Sequence, residues 1–414
     1  MIFAASFRRK TLPARLCAIA GLAAIAGLSA CTPPKAPPPP VAVVVPPAPP
    51  AAHPLDNDQA DYLRLPNMAP GATPVRVGII LPLSSGAAAT RTLAAAMLKS
   101  AELALFDSGN RNLLLMTADE GSPDQAAAAA RKLLGQGAEI IVGPLFGPSV
   151  SAVAPIARDR GVPVLAFSTE RSVAGNGVYL LSFLPQNEVR RVVGYANSQG
   201  HHAFAAMVPQ TAYGDVVANA FDDAVKSVGA TNVDVEHFTP NSSAVMAPAA
   251  AVAKSNADAI LIAQGGGVLR AIAPSLAFNG LDTTKVKLLG TGLWDDPAIT
   301  KEQSLEGGWF AAPEPDADGA FTDKYKSIYG AAPPQLASLA YDAISLVALL
   351  AKGQPYHRFT PAALMDPNGF AGVDGIFRFN TDGTSERGLA ILEVEADGFH
   401  VVNPAPKTFQ ARSF

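Results

Sequence analysis

Residues 140–169 constrain the fold more than any other stretch of the chain. Ile140–Val142 is too short and too apolar for a surface strand, so we expect it to be buried on both faces of a parallel sheet. Gly143 and Pro144 end this strand, and Ser149 is a suitable N-cap for the helix that follows. Residues 162–167 have the composition of a second buried strand. Strand, helix and strand in this order predict two neighbouring parallel strands joined by a crossover.

Small polar residues follow both of these strands. Ser149 lies just beyond the first strand, and Ser168 and Thr169 come directly after the second. The carboxyl ends of adjacent parallel strands meet at one edge of a sheet, and the crevice there is where small ligands bind. This stretch therefore predicts a binding protein.

The alternation of strands and helices continues on both sides of this stretch and restarts after Pro185. It predicts an α/β fold made of two doubly wound, Rossmann-like lobes. The strands predicted outside residues 140–169 lie at 75–81, 113–117, 178–182, 203–208, 233–238, 259–263 and 286–289.

Residues 73–404 are predicted to form one two-lobed domain, followed by a tail at 405–414. The first lobe is expected at about 73–184 and 310–374, and the second at about 185–309 and 375–404. Several crossings of the chain between the lobes predict a hinge that closes on a ligand.

The last hundred residues carry three further predictions. A strand at 308–311 and helices at 317–329 and 335–352 are assigned to the first lobe. Residues 375–380 and 389–395 are predicted to pair as a hairpin around a turn at 381–383.

The N-terminus has the pattern of an export signal. A basic segment precedes an apolar run at 16–27, so residues 1–30 are predicted to be a signal peptide. Residues 28–31 end in Cys31 and resemble the lipobox of bacterial lipoproteins, which implies acyl chains on Cys31 that hold the protein to a membrane. The alternative is an ordinary secretory signal with an incidental cysteine. Residues 31–72 are rich in Pro and Ala and predict an extended tether.

Charge and motif content exclude several classes of function. The full chain has a formal charge of −4, and no basic stripe remains after residue 30, which argues against nucleic acid as a partner. Its six histidines are scattered without metal-ligand spacing. The sequence contains neither a Gly-x-Ser-x-Gly nor a Ser-x-x-Lys motif. We therefore predict a protein that is not an enzyme and has no catalytic residue, metal or cofactor.

Four motifs together resemble type I periplasmic-binding proteins of the leucine-binding group. They are residues 77–84, 141–144, 161–169 and the pair Tyr213-Gly214. Within that group, residues 143–149, the lipobox and the tether are most similar to penicillin-binding-protein activator lipoproteins. The resemblance covers about residues 75–402 and implies a two-lobed binding protein without catalysis.

The resemblance also implies roles for individual residues. Ser149, Ser168 and Thr169 match positions that hold a ligand carboxylate, and Tyr213 matches an aromatic residue that closes over the ligand. Trp294 is either a cleft aromatic or a core residue. The candidate cleft residues are Ser84, Ser85, Phe146, Gly147, Ser149, Ser168, Thr169, Tyr213, Gln264 and Trp294.

Two departures from the family pattern concern the ligand ammonium. Amino-acid-binding members carry an acid after the fifth strand, where this chain has Asn187, and a glutamate in the corner at 290–294, where this chain has glycine. Asp295 and Asp296 come a few residues late. An ammonium without a carboxylate in a closed cleft is costly, so these departures argue against a free branched-chain amino acid.

Two functional hypotheses follow. The first is an outer-membrane lipoprotein, facing the periplasm, that regulates a penicillin-binding-protein peptidoglycan synthase. The alternative is the substrate-binding lipoprotein of an ABC importer, with an ABC permease as partner and an amino acid or related small solute as ligand. A purely structural tethered domain is a third possibility.

Overall fold

The computed structural model describes residues 62–68, 71–315, 317–355 and 357–409. The predicted signal peptide, Cys31 and most of the tether lie outside these residues. No helix in the described ranges is long and apolar enough to cross a membrane.

The first lobe is built on a six-stranded sheet of order β1-β3-β2-β4-β5-β6. Five strands are parallel, and the short β1 pairs antiparallel with β3 at the edge. Every residue of β2, β4, β5 and β6 is buried, which explains their unbroken apolar sequences. The elements in chain order are β1 (Tyr62–Arg64), β2 (Val75–Leu81), α1 (Ala88–Ser108), β3 (Leu113–Asp119), α2 (Pro123–Gly135), β4 (Ile140–Val142), α3 (Gly147–Arg158), β5 (Val164–Ala166) and β6 (Val178–Leu180).

The second lobe follows in the same alternating manner. Its elements begin with α4 (Pro185–Ser198), β7 (Ala203–Pro209), α5 (Ala212–Ser227), β8 (Thr231–Phe238), α6 (Met246–Val252), β9 (Ala259–Ile262), α7 (Gly266–Phe278), β10 (Lys287–Gly290) and β11 (Trp309–Ala312). The strands β8, β7, β9, β10 and β11 lie side by side and parallel. Two sheets of mostly parallel strands flanked by helices confirm the predicted α/β fold.

The remaining elements are shared between the lobes. They are α8 (Gly319–Tyr329), α9 (Ser338–Leu350), α10 (Pro361–Leu364), β12 (Phe370–Gly372), β13 (Gly375–Phe379), β14 (Ser385–Arg387), β15 (Ala390–Glu395) and β16 (Gly398–Asn403). Helix α9 packs against α1, and its buried Ala343 and Ile344 join the core that contains Met97. The helices predicted to return to the first lobe therefore do so.

The strand predicted at 308–311 belongs to the second lobe instead. β11 pairs with β10 on one side and antiparallel with β15 on the other. Phe310 is fully buried in the same apolar core as Trp294 and Leu392. The correction has a simple cause, because a four-residue apolar run shows that a strand is buried but not which sheet buries it.

The hairpin predicted to pair residues 375–380 with 389–395 is wrong, because these two strands do not pair with each other. The turn at 381–383 joins β13 to the polar strand β14, and both belong to a three-stranded sheet with β12. The strand β15 leaves this hairpin and joins the second sheet, where it pairs with β11 and β16. Phe377 and Phe379 of β13 are buried in the first-lobe core, which fixes the hairpin there.

Candidate functional site

The candidate residues cluster at the carboxyl ends of the parallel strands in both lobes. Helix α3 begins at Gly147, and its N-cap residue is Phe146, so Ser149 lies inside the first turn and is not the N-cap that the sequence predicts. In the first lobe, the relevant loops follow β2, β3, β4 and β5. In the second lobe they follow β7, β9 and β10.

The N-terminus of α3 is occupied by a carboxylate of the protein itself. The backbone N–H groups of Leu145 and Phe146 donate to the two oxygens of Glu120 at 2.9 Å and 3.0 Å. Burial raises the pKa of Glu120, although these bonds and the hydroxyl of Ser149 act to lower it. Ser149 is only 2% exposed. Two backbone donors of the turn before Ser149, where the resemblance places a ligand carboxylate, therefore already have an acceptor.

A second carboxylate lies beside the same turn. Glu170 sits so close to Gly147 that a Cβ there would be 1.9 Å from its Oε2 atom. The Glu170 N–H donates to Ser168 Oγ at 3.1 Å, and Ser172 Oγ donates to Glu170 Oε1 at 2.7 Å. Ser168 is buried, whereas Thr169 is exposed. The first-lobe wall is therefore acidic.

The loop after β2 adds a third carboxylate. The N–H of Ser84 donates to Asp119 Oδ1 at 3.1 Å, and its hydroxyl donates to Oδ2. Burial acts to raise the pKa of Asp119, but the hydrogen bonds from Ser84 and from the backbone of Leu83 and Gly121 together outweigh it, and the net pKa is lowered. The hydroxyl of Ser85 accepts from the N–H of Ala87 at 3.4 Å, and its backbone carbonyl accepts from Arg91 Nη1 at 2.6 Å.

The second-lobe corner contains a buried acid that the sequence analysis missed. Glu188 Oε2 accepts from the N–H of Gly292 at 2.9 Å. Burial raises the pKa of Glu188 to about 7, although this hydrogen bond opposes the effect. A Cβ at position 292 would lie 2.9 Å from Glu188 Oε1. The glycine in this corner therefore makes room for a carboxylate that comes from α4.

Tyr213 lies in the same corner. Its hydroxyl is hydrogen-bonded to Thr291 Oγ1 at 2.9 Å. Burial raises its pKa, and the nearby charge of Glu188 adds to that effect. Gln264 is half-buried, and its Nε2 donates to the carbonyl of Gly265 at 3.3 Å.

Asn187 has a structural contact. Its Nδ2 atom donates to the carbonyl of Ser385 at 2.7 Å and ties α4 to the strand β14. One sequence signal could have identified Glu188, which lies on the buried face of α4 with Val189 and Val192. Charged residues are rarely buried without a partner, so a glutamate on an apolar helix face indicates a specific contact.

Trp294 is a core residue. It is fully buried, and its Nε1 donates to the carbonyl of Ile262 at 3.2 Å. The strand β10 ends at Gly290, where a Cβ would lie 2.2 Å from Trp294 Cδ2. The glycine is therefore required for the indole to pack across the strand end.

We expect Gly290→Ala to lower the free energy of unfolding by about 1–3 kcal/mol, because overpacking displaces buried side chains. Urea unfolding followed by tryptophan fluorescence measures it. Gly135→Ala is the matched control, because nothing lies within 4 Å of a Cβ there. Equal stability of the two variants would contradict the packing argument.

A hydrogen bond links the two lobes in an acidic region that follows this corner in the sequence. Asp295 Oδ2 accepts from Gln335 Nε2 at 3.0 Å, which joins the loop after β10 to the segment before α9. Burial raises the pKa of Asp295, and the charges of Asp318, Asp374 and Asp296 raise it further despite the bond from Gln335.

Comparison with known proteins gives a family. A family profile described as "Periplasmic binding protein" matches residues 74–398. An uncharacterized protein of Rickettsia prowazekii is 21% identical over 136 residues, which are 33% of this chain and 36% of that protein. The match thus spans little more than a third of that relative's length.

Solved structures share the fold at low sequence identity. A putative branched-chain amino acid ABC transporter from Rhodospirillum rubrum is 20% identical, with a TM-score of 0.71 over 80% of this chain and 100% of that one. A solute binding protein from R. palustris in complex with benzoate is 17% identical, with a TM-score of 0.58 over 82% and 98%. A leucine binding protein from Thermotoga maritima is 19% identical, with a TM-score of 0.56 over 80% and 99%.

The family agrees with the prediction of a binding protein of the cell envelope. Its profile covers both lobes, and the two-sheet architecture is the one that the resemblance implied. The chain belongs to the periplasmic binding protein family and has the type I fold of the leucine-binding group.

Proposed function

We propose that this protein is the solute receptor of an ABC importer and that its ligand carries an ammonium group. The observation that carries this proposal is the buried carboxylate of Glu188 beside Tyr213 and Gly292. A cation within about 4–6 Å of a buried carboxylate favours its charged form and compensates the cost of desolvation. Glu188 thus supplies the acid that Asn187 and the corner at 290–294 lack.

The residues of the first lobe determine which group the ligand can carry at the end opposite its ammonium. Glu120 already accepts from the N–H groups before α3, and Glu170 lies against Gly147. A ligand carboxylate placed there would meet two like charges in a partly buried corner, which is unfavourable. We therefore propose a neutral polar group at that end, bound by Ser168, Thr169 or the backbone.

Three ligands that share an isobutyl group, leucinol, leucine and isocaproate, test this assignment together with the aromatic carboxylate benzoate. We expect leucinol, which has an ammonium and a hydroxyl, to raise the melting temperature more than leucine, and isocaproate and benzoate to have no effect. At a concentration of 100 times Kd, a ligand stabilises a protein by about 2.7 kcal/mol. Differential scanning fluorimetry and calorimetric titration measure the series. A larger shift with isocaproate or benzoate would show that the ligand class is wrong.

Regulation of a peptidoglycan synthase is the second candidate. It is favoured by the internal occupancy of the α3 N-terminus, because a domain with no small ligand has no need of a free anion site there. Cys31 acylation, an outer-membrane location and the tether at 31–72 remain predictions. Capture of penicillin-binding synthases and stimulation of glycan synthesis, with no response to the ligand series, would favour this function over import.

A further inference from the structure

A cavity of about 700 Å³ lies beside a different face of α4 from the one that carries Glu188. The α4 residues that line it recur at helical spacing and include Asn187, Arg190, Arg191 and Tyr195. The opposite walls are β14 with Leu389 and the terminal segment 403–409. Asn187 lines this cavity but is not one of the residues that we place in the ligand cleft. None of the cleft residues lines the cavity.

Arg191 is the central cation of this cavity, and its guanidinium donates hydrogen bonds to neutral acceptors. Arg191 Nε donates to the carbonyl of Leu389 at 2.8 Å, and its Nη2 donates to Asn403 Oδ1 and to the carbonyl of Pro404. Burial lowers the pKa of Arg191. A half-buried guanidinium among neutral acceptors attracts an anion.

Two exposed cations stand at the rim. Arg190 contacts Asn187 Oδ1 at 3.4 Å. Lys407 is exposed. The residues on either side of it in the terminal segment contact the wall, because Pro406 packs on Gly388 and the ring of Phe409 lies 4.4 Å from the Arg378 guanidinium. The terminal segment therefore brings Lys407 to the same side as α4.

The other charged residues of the wall are paired. Arg378 Nη2 lies 2.8 Å from Glu386 Oε2, and Arg387 Nη2 lies 3.6 Å from Asp342 Oδ2. The charge available to a ligand therefore comes from Arg190, Arg191 and Lys407. This local excess of positive charge stands in a chain whose formal charge is −4.

We propose that this cavity binds a small oxyanion with more than one negative charge, either a phosphate ester or a polycarboxylate. Guanidinium groups bind both classes through paired, charge-assisted hydrogen bonds. The cavity volume is in the range of small-molecule sites, about 300–1,000 Å³. This site is separate from the cleft of the proposed function.

Calorimetric titration of the purified protein with inorganic pyrophosphate and with citrate tests the site. We expect at least one probe to bind with a one-to-one stoichiometry and to weaken as ionic strength rises. Pyrophosphate alone would indicate a phosphate ester, citrate alone a polycarboxylate, and both a site for either class. Failure of both probes to bind at low ionic strength would overturn the proposal.

The double variant Arg190→Gln/Lys407→Gln removes the two exposed cations and leaves Arg191 in place. We expect it to weaken binding of the probe by about tenfold or more, since hydrogen bonds to a charged group are among the stronger contacts that a protein makes. Arg131→Gln is the control for a lost exposed charge on α2. Unchanged affinity in the double variant, with its melting temperature unchanged, would also overturn the proposal.

Discussion

Glu188→Gln is expected to weaken leucinol binding by about 100-fold while making the unliganded protein more stable at about pH 8. Glutamine keeps a carbonyl oxygen for the N–H of Gly292 but carries no charge to pair with an ammonium. Binding and stability therefore change in opposite directions. A residue with only a structural role would not separate them in this way.

The sign of the stability change follows from the pKa. Burial raises the pKa of Glu188 to about 7 in the folded protein, above its model-peptide value. The folded state therefore keeps a proton that the unfolded state has lost, and stability falls as the pH rises from about 4.5 to about 7. The cost at about pH 8 is on the order of 3 kcal/mol, and glutamine removes it. Urea unfolding at about pH 5 and pH 8 measures the difference.

The same titration controls the ligand. The Glu188 carboxyl must lose its proton before it pairs with an ammonium, so leucinol affinity should fall by up to about tenfold per pH unit below pH 7. Glu188→Gln should remove this dependence. Glu120→Gln is the control in the first lobe, and we expect its leucinol affinity to keep the pH dependence. Wild-type affinity that is flat between about pH 5 and pH 8 would refute the role of Glu188.

The sequence was informative where a pattern has one physical explanation. The unbroken apolar run at Ile140–Val142 predicts a buried parallel strand, which the structure confirms, whereas the crevice beside the polar residues after it stays a prediction. The strand predicted at 308–311 is wrongly assigned to the first lobe, because burial alone does not identify the neighbouring strand. Sheet membership depends on contacts between distant segments.

The site was harder to predict than the fold, because its chemistry depends on the contacts of individual side chains. Asn187 and Glu188 are adjacent, yet one contacts Ser385 and the other the corner at Gly292, since successive helical residues point about 100° apart. Occupation of the α3 N-terminus by Glu120 joins a residue after β3 to one after β4. Local sequence patterns contain no signal for that contact.

Arg387→Met is expected to lower the free energy of unfolding by about 3–5 kcal/mol at about pH 8, because it removes the cation from a buried charge cluster. The side chains of Arg387 and Asp342 are each only 1% exposed, and Asp374 is also buried. Burial raises the pKa of both carboxyl groups, and the charge of Arg387 acts to lower them. Methionine retains the apolar contact with the Phe183 ring, which lies 4.5 Å from the guanidinium carbon.

The loss should be smaller at about pH 5, because protonated carboxyl groups need no cation and a carboxyl with a raised folded pKa loses stability only as the pH rises. Arg378→Met is the control on the neighbouring strand. Its side chain is 8% exposed, but its partner Glu386 is 32% exposed and in contact with solvent, so we expect a smaller loss of about 1.5–3 kcal/mol that varies little with pH. Equal losses for the two variants at both pH values would show that Arg387 stabilises the protein by packing and not by charge. The ion pair between Arg387 and Asp342 would then not stabilise the contact between β14 and α9.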